Sequence, residues 1–356
     1  MIIAISVTLF FLVLRFTVTL FNFISNPKLT RVSKQYTDLI SILIPVKDEE
    51  ENILTLLQSI YVQDYTNYEV IIYDDHSTDR TLSICSDFTV RDKRFNIIKG
   101  IQLLHGWTSK NFACDLLAQK AKGKYLLFLN ADSSIKNNLI NSAIHRMHLY
   151  KLSLLSLFTN QEMKTIGEKA TAPLLHYMLL NLLPLRLVYL LKNPSVASAS
   201  GQFMLFDSAR YLQNQWHRLV KNKVVGYTQI MKLVKAASCN GEVLLANGMI
   251  SSKMFRSYKD ALNGCGNHFL AAFNYSIPGI LTYLLLIIVG PMLVIITLNI
   301  SLIFFMISLI LLTRFMISLS AGQNALENIL LHPVQMINLL VIGFLVIQKH
   351  LVKTNV

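Results

Sequence analysis

A run of apolar residues from position 2 to 24, broken only by Arg15 and a few hydroxyl or amide groups, limits the fold most sharply. At about 1.5 Å per helical residue it is long enough to cross a ~30 Å hydrocarbon layer. No basic residue precedes it and no small-x-small cleavage pattern follows, so it reads as an uncleaved anchor rather than a signal peptide. Two more apolar segments, 277–298 and 300–319, lie towards the other end, the second interrupted by Arg314. A weaker one covers 333–347, and the sequence leaves open whether it spans, re-enters or lies at the interface. The chain therefore divides into an N-terminal anchor (1–26), a central domain (27–270) and a C-terminal membrane region (271–356) with two to three transmembrane helices.

The composition agrees. Of 356 residues, 53% are hydrophobic and 15% charged, against roughly 25% charged in soluble proteins. An ordinary soluble domain and a disordered chain are both excluded. The formal charge is +13, and 19 of the 20 acids fall between Asp38 and Asp260. Lys28, Arg31 and Lys34 follow the first apolar run, and Lys253, Arg256 and Lys259 precede the next. Juxtamembrane bases favour the cytoplasmic side, so a multi-pass membrane protein with a cytoplasmic central domain is expected, and no nucleic-acid partner. If all three C-terminal segments span, the tail with Lys349 and Lys353 ends outside, against that bias. Four scattered cysteines and nine unclustered histidines argue against a disulfide scaffold or a zinc site.

Within the central domain, apolar strand patterns at 39–46, 68–73, 96–98 and 125–129 alternate with helical stretches at 50–62, from about 79, and at 111–121 and 138–150. That alternation predicts an α/β fold, a doubly wound, mostly parallel sheet flanked by helices. Ligands of such sheets bind beyond the carboxyl ends of the strands. Three of those ends carry acids: Lys47-Asp48-Glu49-Glu50, Asp74-Asp75-His76-Ser77-Thr78-Asp79, and Asn130-Ala131-Asp132. Singly each has a structural explanation, since Asp79 or Thr78 can cap a helix and Glu49-Glu50 suit a helix N-terminus. Together at one rim they repel unless a cation or polar ligand offsets them. A nucleoside diphosphate with a divalent metal would do so. The apolar stretch 172–191, interrupted by Pro173, Pro184 and Arg186, fits a buried core helix or an interfacial helix; the membrane flanks favour the interfacial reading.

These motifs resemble family 2 glycosyltransferases of the GT-A fold. The resemblance rests on Ile44-Pro45-Val46-Lys47-Asp48-Glu49-Glu50, on Asp74-Asp75-His76-Ser77-Thr78-Asp79 and on Phe128-Leu129-Asn130-Ala131-Asp132. Gly106-Trp107-Thr108-Ser109-Lys110-Asn111 and Ser200-Gly201-Gln202-Phe203-Met204-Leu205-Phe206 resemble two further elements of the membrane-anchored branch. That branch includes carotenoid-acid (diaponeurosporenoate-type) glucosyltransferases.

The resemblance implies that Pro45 and Asp48 or Glu49 border the nucleotide base, and that Asp75 accepts a hydrogen bond from a uracil-like ring N–H. It implies that Asp132 ligates Mg²⁺ or Mn²⁺ on the diphosphate, that Asn130 bonds a ribose hydroxyl, and that Lys110 and Lys253 neutralise phosphate charge. The implied function is transfer of a sugar from a nucleotide-sugar donor, UDP-sugar foremost, to a lipophilic acceptor, metal-dependent and inverting. Two departures stand out. Asn130 replaces the first acid of Asp-x-Asp, and Val225-Gly226 occupy the place of a Glu-Asp doublet, one acid of which deprotonates the acceptor. Asp207 and Glu242 are the open candidates for a substitute base. The alternatives are a catalytically impaired relative that binds nucleotide-sugar or lipid as a partner protein and, below it, a polysaccharide synthase.

Overall fold

The computed structural model describes residues 2–354, with side chains described through Lys349; the Lys353 side chain lies outside the described residues. Contacts divide the chain into two units, one of residues 27–160 and 185–253, the other of residues 1–26, 161–184 and 254–356.

The first unit is built on ten short strands: β1 (Ile40–Val46), β2 (Tyr68–Asp74), β3 (Phe95–Lys99), β4 (Tyr125–Leu129), β5 (Ser133–Ile135), β6 (Leu154–Phe158), β7 (Asn160–Gln161, at the unit's margin), β8 (Phe203–Asp207), β9 (Gly241–Leu245) and β10 (Ile250–Ser252). Seven form one sheet in the order β3-β2-β1-β4-β8-β6-β9, and β5, β10 and β7 form a smaller one. β3, β2, β1 and β4 run parallel, so their carboxyl ends share an edge. β8 is antiparallel to β4 and β6, which brings its start to that same edge, with Phe203 opposite Leu129.

The apolar strand runs have a simple cause. β4 is buried at every position and β1 at all but Pro45, because helices cover both faces. Helix Ile53–Tyr61 buries Ile53, Leu56, Leu57 and Ile60, a single stripe at helical spacing. Helices Thr81–Arg91, Ser109–Lys120 and Leu139–Tyr150 complete the layers. All four parallel strands and their helices lie where the sequence predicts them, within three residues.

The second unit is helical. Helices Ile2–Ser25, Ile277–Ile296, Ile300–Ala321 and His332–Lys349 are long and apolar enough to cross a membrane, one N-terminal and three C-terminal. The third C-terminal segment, left open above, is thus a helix of spanning length. The helix from Ile277 contains a π-helical turn, Leu285–Val289. Gly290 follows it, where a Cβ would stand 2.6 Å from a Thr8 methyl; only glycine admits so close an approach of the N-terminal helix.

The stretch 172–191, expected as an interfacial helix, is two helices, Pro173–Leu182 and Leu185–Leu190, in different units. Pro184, between them, cannot continue a helix. Pro173–Leu182 has no free apolar face: Pro173, Leu174, His176, Tyr177, Met178, Leu180 and Asn181 are all buried. Asn22 of the first helix donates to the Leu180 and Leu183 carbonyls at 2.8 and 2.9 Å. The buried alternative describes this helix. Residues 254–270, which the sequence reading places in the central domain, also belong to the helical unit, with helix Tyr258–Ala272.

Candidate functional site

The shared carboxyl edge brings the three acidic strand ends together. After β2, Asp75 donates its backbone N–H to the Val46 carbonyl at 2.9 Å, tying the β1 and β2 ends to each other. The Asp75 carboxylate accepts from the Ser109 hydroxyl and stands 3.4 Å from Lys47 Nζ. Ser109 opens helix Ser109–Lys120, capped by Thr108, and the next residue, Lys110, donates to Asn130 Oδ1 at 2.7 Å. One helix start therefore links the β2 end to the β4 end.

Asp48 and His76 both adopt left-handed backbone angles, φ 51° and 56°. Non-glycine residues rarely do so without compensation, and such positions concentrate at functional rims. For Asp48 the compensation is visible: its N–H donates to Ser77 Oγ at 3.0 Å, and its carboxylate accepts from Thr78 N–H at 2.7 Å and Thr78 Oγ1 at 3.1 Å. Glu49 accepts from Asn52 at 2.8 Å, and Glu50 accepts from Arg80 N–H at 3.1 Å. Asp79 accepts from Glu50 and Thr81 N–H groups. These acids lace the β1 and β2 loops together. Pro45, half-buried, lies two residues beyond the last β1–β4 pair, Leu43 opposite Phe128, so its missing N–H leaves that ladder intact.

Asp132 differs from all of these. Its Oδ1 is buried with no hydrogen-bond partner. Burial pushes its pKa up to about 6; the Lys110 charge opposes that, Glu49 adds to it, and the Gln202 amide opposes it. An unpaired buried carboxylate oxygen is costly unless a ligand completes it. Gln202 is itself fixed, accepting from Thr159 and donating to Ser252, both at 2.6 Å. Lys253 donates its N–H to the Asp132 carbonyl at 3.0 Å, while its Nζ lies 4.0 Å from Glu51. Among the described residues no three His, Cys, Asp or Glu side chains form a metal cage. A hard divalent cation that shares phosphate oxygens needs only one or two protein carboxylates, so Asp132 with its open Oδ1 fits that role.

The segment of Val225 and Gly226 belongs to this neighbourhood through two ties. Asn111 Nδ2 donates to the carbonyls of Val220, Lys221 and Lys223 at 2.8, 3.4 and 3.0 Å, and Thr108 N–H donates to Lys221 at 2.7 Å. Gly201 receives the Tyr227 ring, which would stand 2.6 Å from a Cβ there. Neither open candidate for a base lies at this edge. Asp207 pairs with Tyr125 at the amino end of β4 and caps the next helix, accepting from Arg210 N–H at 2.9 Å. Glu242 is buried in a bidentate ion pair with Arg146, both bonds 2.6 Å. His217 is buried, bonded to the Tyr211 hydroxyl at 2.8 Å, and burial with the Lys110 charge drives its pKa down to about 3, so it is neutral.

The nucleotide- and metal-site candidates named from sequence thus gather at one edge, whereas Asp207 and Glu242 lie away from it. Ser109, Asn111 and Gln202 stood inside the quoted motifs, but their roles depend on partners 20 or more residues away. Thr159, Ser252 and Glu51 gave no sequence signal.

Parallel strands with an acid-lined carboxyl edge place this unit among the doubly wound α/β folds that bind ligands at strand ends. Residues 41–210 match the sequence model described as glycosyl transferase family 2, so the chain carries a family 2 glycosyltransferase domain. The 4,4'-diaponeurosporenoate glycosyltransferase of Staphylococcus haemolyticus (strain JCSC1435) is 23% identical over 261 residues, 71% of this chain and 67% of that protein. The UDP-Glc:alpha-D-GlcNAc-diphosphoundecaprenol beta-1,3-glucosyltransferase WfaP of Escherichia coli is 29% identical over 142 residues, 39% of this chain and 54% of that one. The chain spans between 34% and 67% of the length of the first curated relatives it matches. The mannosyltransferase PcManGT from Pyrobaculum calidifontis, solved with GDP-Man and Mn²⁺, aligns over 97% of this chain and 99% of that one, with TM-score 0.55 and 13% identity. At that identity the likeness concerns the fold, which is GT-A-like as the sequence predicts.

Proposed function

We propose that the chain transfers a sugar from a nucleotide-sugar donor, a UDP-sugar, to a lipophilic acceptor at the membrane, as a metal-dependent, inverting glycosyltransferase. The single observation that carries this reading is the buried, unpartnered Asp132 Oδ1 at the edge that also presents Asp75. Asp75, positioned by Ser109 and Lys47, accepts the ring N–H of the base. Pro45 and Asp48 or Glu49 border the base, Asn130 holds a ribose hydroxyl, and Lys110 and Lys253 face the phosphates. Asp132 would hold Mg²⁺ or Mn²⁺, which supplies Lewis-acid stabilisation of the departing nucleoside diphosphate.

With Val225-Gly226 at the acceptor side, no carboxylate there takes a proton. An acceptor that arrives as an oxyanion needs none, and one relative is named for diaponeurosporenoate, a carboxylate. The juxtamembrane bases support a cytoplasmic catalytic unit. The same apolar pair favours a second reading, a partner protein that binds nucleotide-sugar or lipid without transfer.

The test is a transfer assay with radiolabelled UDP-sugars and membrane lipid extract plus Mn²⁺. Label entering the lipid phase with the natural chain, and at least 100-fold less with Asp132→Ala, is expected from the several kcal/mol such an ion contributes. No transfer by the natural chain with intact UDP-sugar binding would favour the partner reading.

A further inference from the structure

The helical unit holds a second set of unsatisfied polar atoms, and their sign is opposite. Arg15 and Arg314 are buried, at 3% and 0% exposure, each inside a helix of spanning length. Counted along the helix, each lies at least about 10 Å from either end, too deep for arginines that extend to the headgroup layer. Both guanidiniums lie over one ring, that of Tyr177, at 5.1 and 5.0 Å from its centroid. Arg15 also faces the Phe11 and Tyr283 rings at 5.6 and 6.0 Å. Neither arginine has an acidic partner among the described residues. Arg314 donates to Asn328 Oδ1 at 3.0 Å and to Gln335, neutral amides.

Arg15 Nε and Nη2, Arg314 Nη1, the Tyr283 hydroxyl and His332 Nδ1 have no hydrogen-bond partner. The His332 ring packs against Tyr177 at 5.8 Å. The arginine nitrogens are donors only, and although the Asn181 amide of the same unit is also unpartnered, the set carries two positive charges with no carboxylate beside them among the described residues, where charge is expensive. What completes such a set is an acceptor-only group with negative charge, and guanidinium forks match planar carboxylates and phosphates.

We infer that Arg15 and Arg314, which share contact with the Tyr177 ring, form a buried binding site for the oxyanion head, phosphate or carboxylate, of a lipid. A lipid is the source because both arginines sit on helices whose remaining surface is apolar. The inference is independent of the sugar-transfer reading, since none of its residues belongs to the strand-end site.

The full chain in detergent micelles is titrated with dioleoyl phosphatidic acid, oleate, dioleoylglycerol or inorganic phosphate while Tm is followed. Phosphatidic acid or oleate should raise Tm by about 3 °C or more, and whichever acts identifies the head group. Dioleoylglycerol and inorganic phosphate should not. Arg15→Gln and Arg314→Gln should each abolish the shift, and Arg15→Lys should retain part of it. No shift with either anionic lipid, an equal shift with dioleoylglycerol or with inorganic phosphate alone, or a full shift in the double Gln variant would overturn the inference. Should the Gln variants not fold, the comparison of the four additives on the natural chain decides by itself.

Discussion

Between the carboxyl ends of β2 and β4 stand Asp48, Glu49, Asp75 and Asp132 with Lys47 and Lys110, nearly all engaged by named partners. The turn at 223–227, tied to the same edge, offers instead Val224, 77% exposed, then Val225 and a buried Gly226. One side is dense in carboxylates and rigidly laced; the other has no carboxylate, and its one charged side chain is the exposed Lys223. Binding a diphosphate requires fixed charge, whereas attack by an acceptor requires a base only when the attacking oxygen carries a proton. On the proposed function, donor recognition and acceptor activation would rest on separate residues, with the carboxylates of this edge serving the first.

The largest effect should come from the charged side. Asp75→Asn removes a charged acceptor and should weaken UDP affinity about tenfold or more, from the ~1.5–3 kcal/mol of a charged hydrogen bond, as read by calorimetry. Unchanged affinity would remove Asp75 from the base contact. Asn111→Ala breaks the tie between the two sides, three carbonyls losing their donor at once. A fall in stability of about 1–3 kcal/mol is expected in denaturant unfolding.

Asp132→Asn sharpens the comparison through pH. In the metal-free protein the Asp132 pKa is raised to about 6, so the folded state holds its proton more tightly than the unfolded one. Stability is then lost as pH rises from the ordinary carboxylate value through about 6. The Asn variant should therefore melt higher than the natural chain at pH 7.5, and by no more than it does at pH 4 only if that account is wrong. The smallest effect should come from the apolar side. Val225→Glu with Gly226→Asp should change transfer less than threefold, although a Cβ at Gly226 would press on Val220 at 3.1 Å. A gain of about 10²-fold or more, the usual worth of a base, would show that the natural chain lacks one it needs.

Legibility in the sequence followed the same division. β1, β2 and β4 were readable because strands covered on both faces are continuous apolar runs, the edge strand β3 only by its short Ile97-Ile98 core, and their acids because strand ends of parallel sheets face ligands. β5 and β10, three residues each, carry no such run and exist through pairing across more than a hundred positions, Ser252 with Ser133. Apolar content alone could not tell a helix buried among other helices from one lying at a lipid surface, so the place of Pro173–Leu182 depended on partners such as Asn22. The open Oδ1 of Asp132 was likewise invisible, since an absent partner is a property of packing rather than of spelling.

Calorimetry of UDP binding to the natural chain with and without Mn²⁺, repeated with Asp132→Ala, addresses the central assignment most directly. The account predicts that Mn²⁺ tightens binding at least tenfold in the natural chain and leaves the variant unaffected. Equal tightening in both, or none in either, would contradict it.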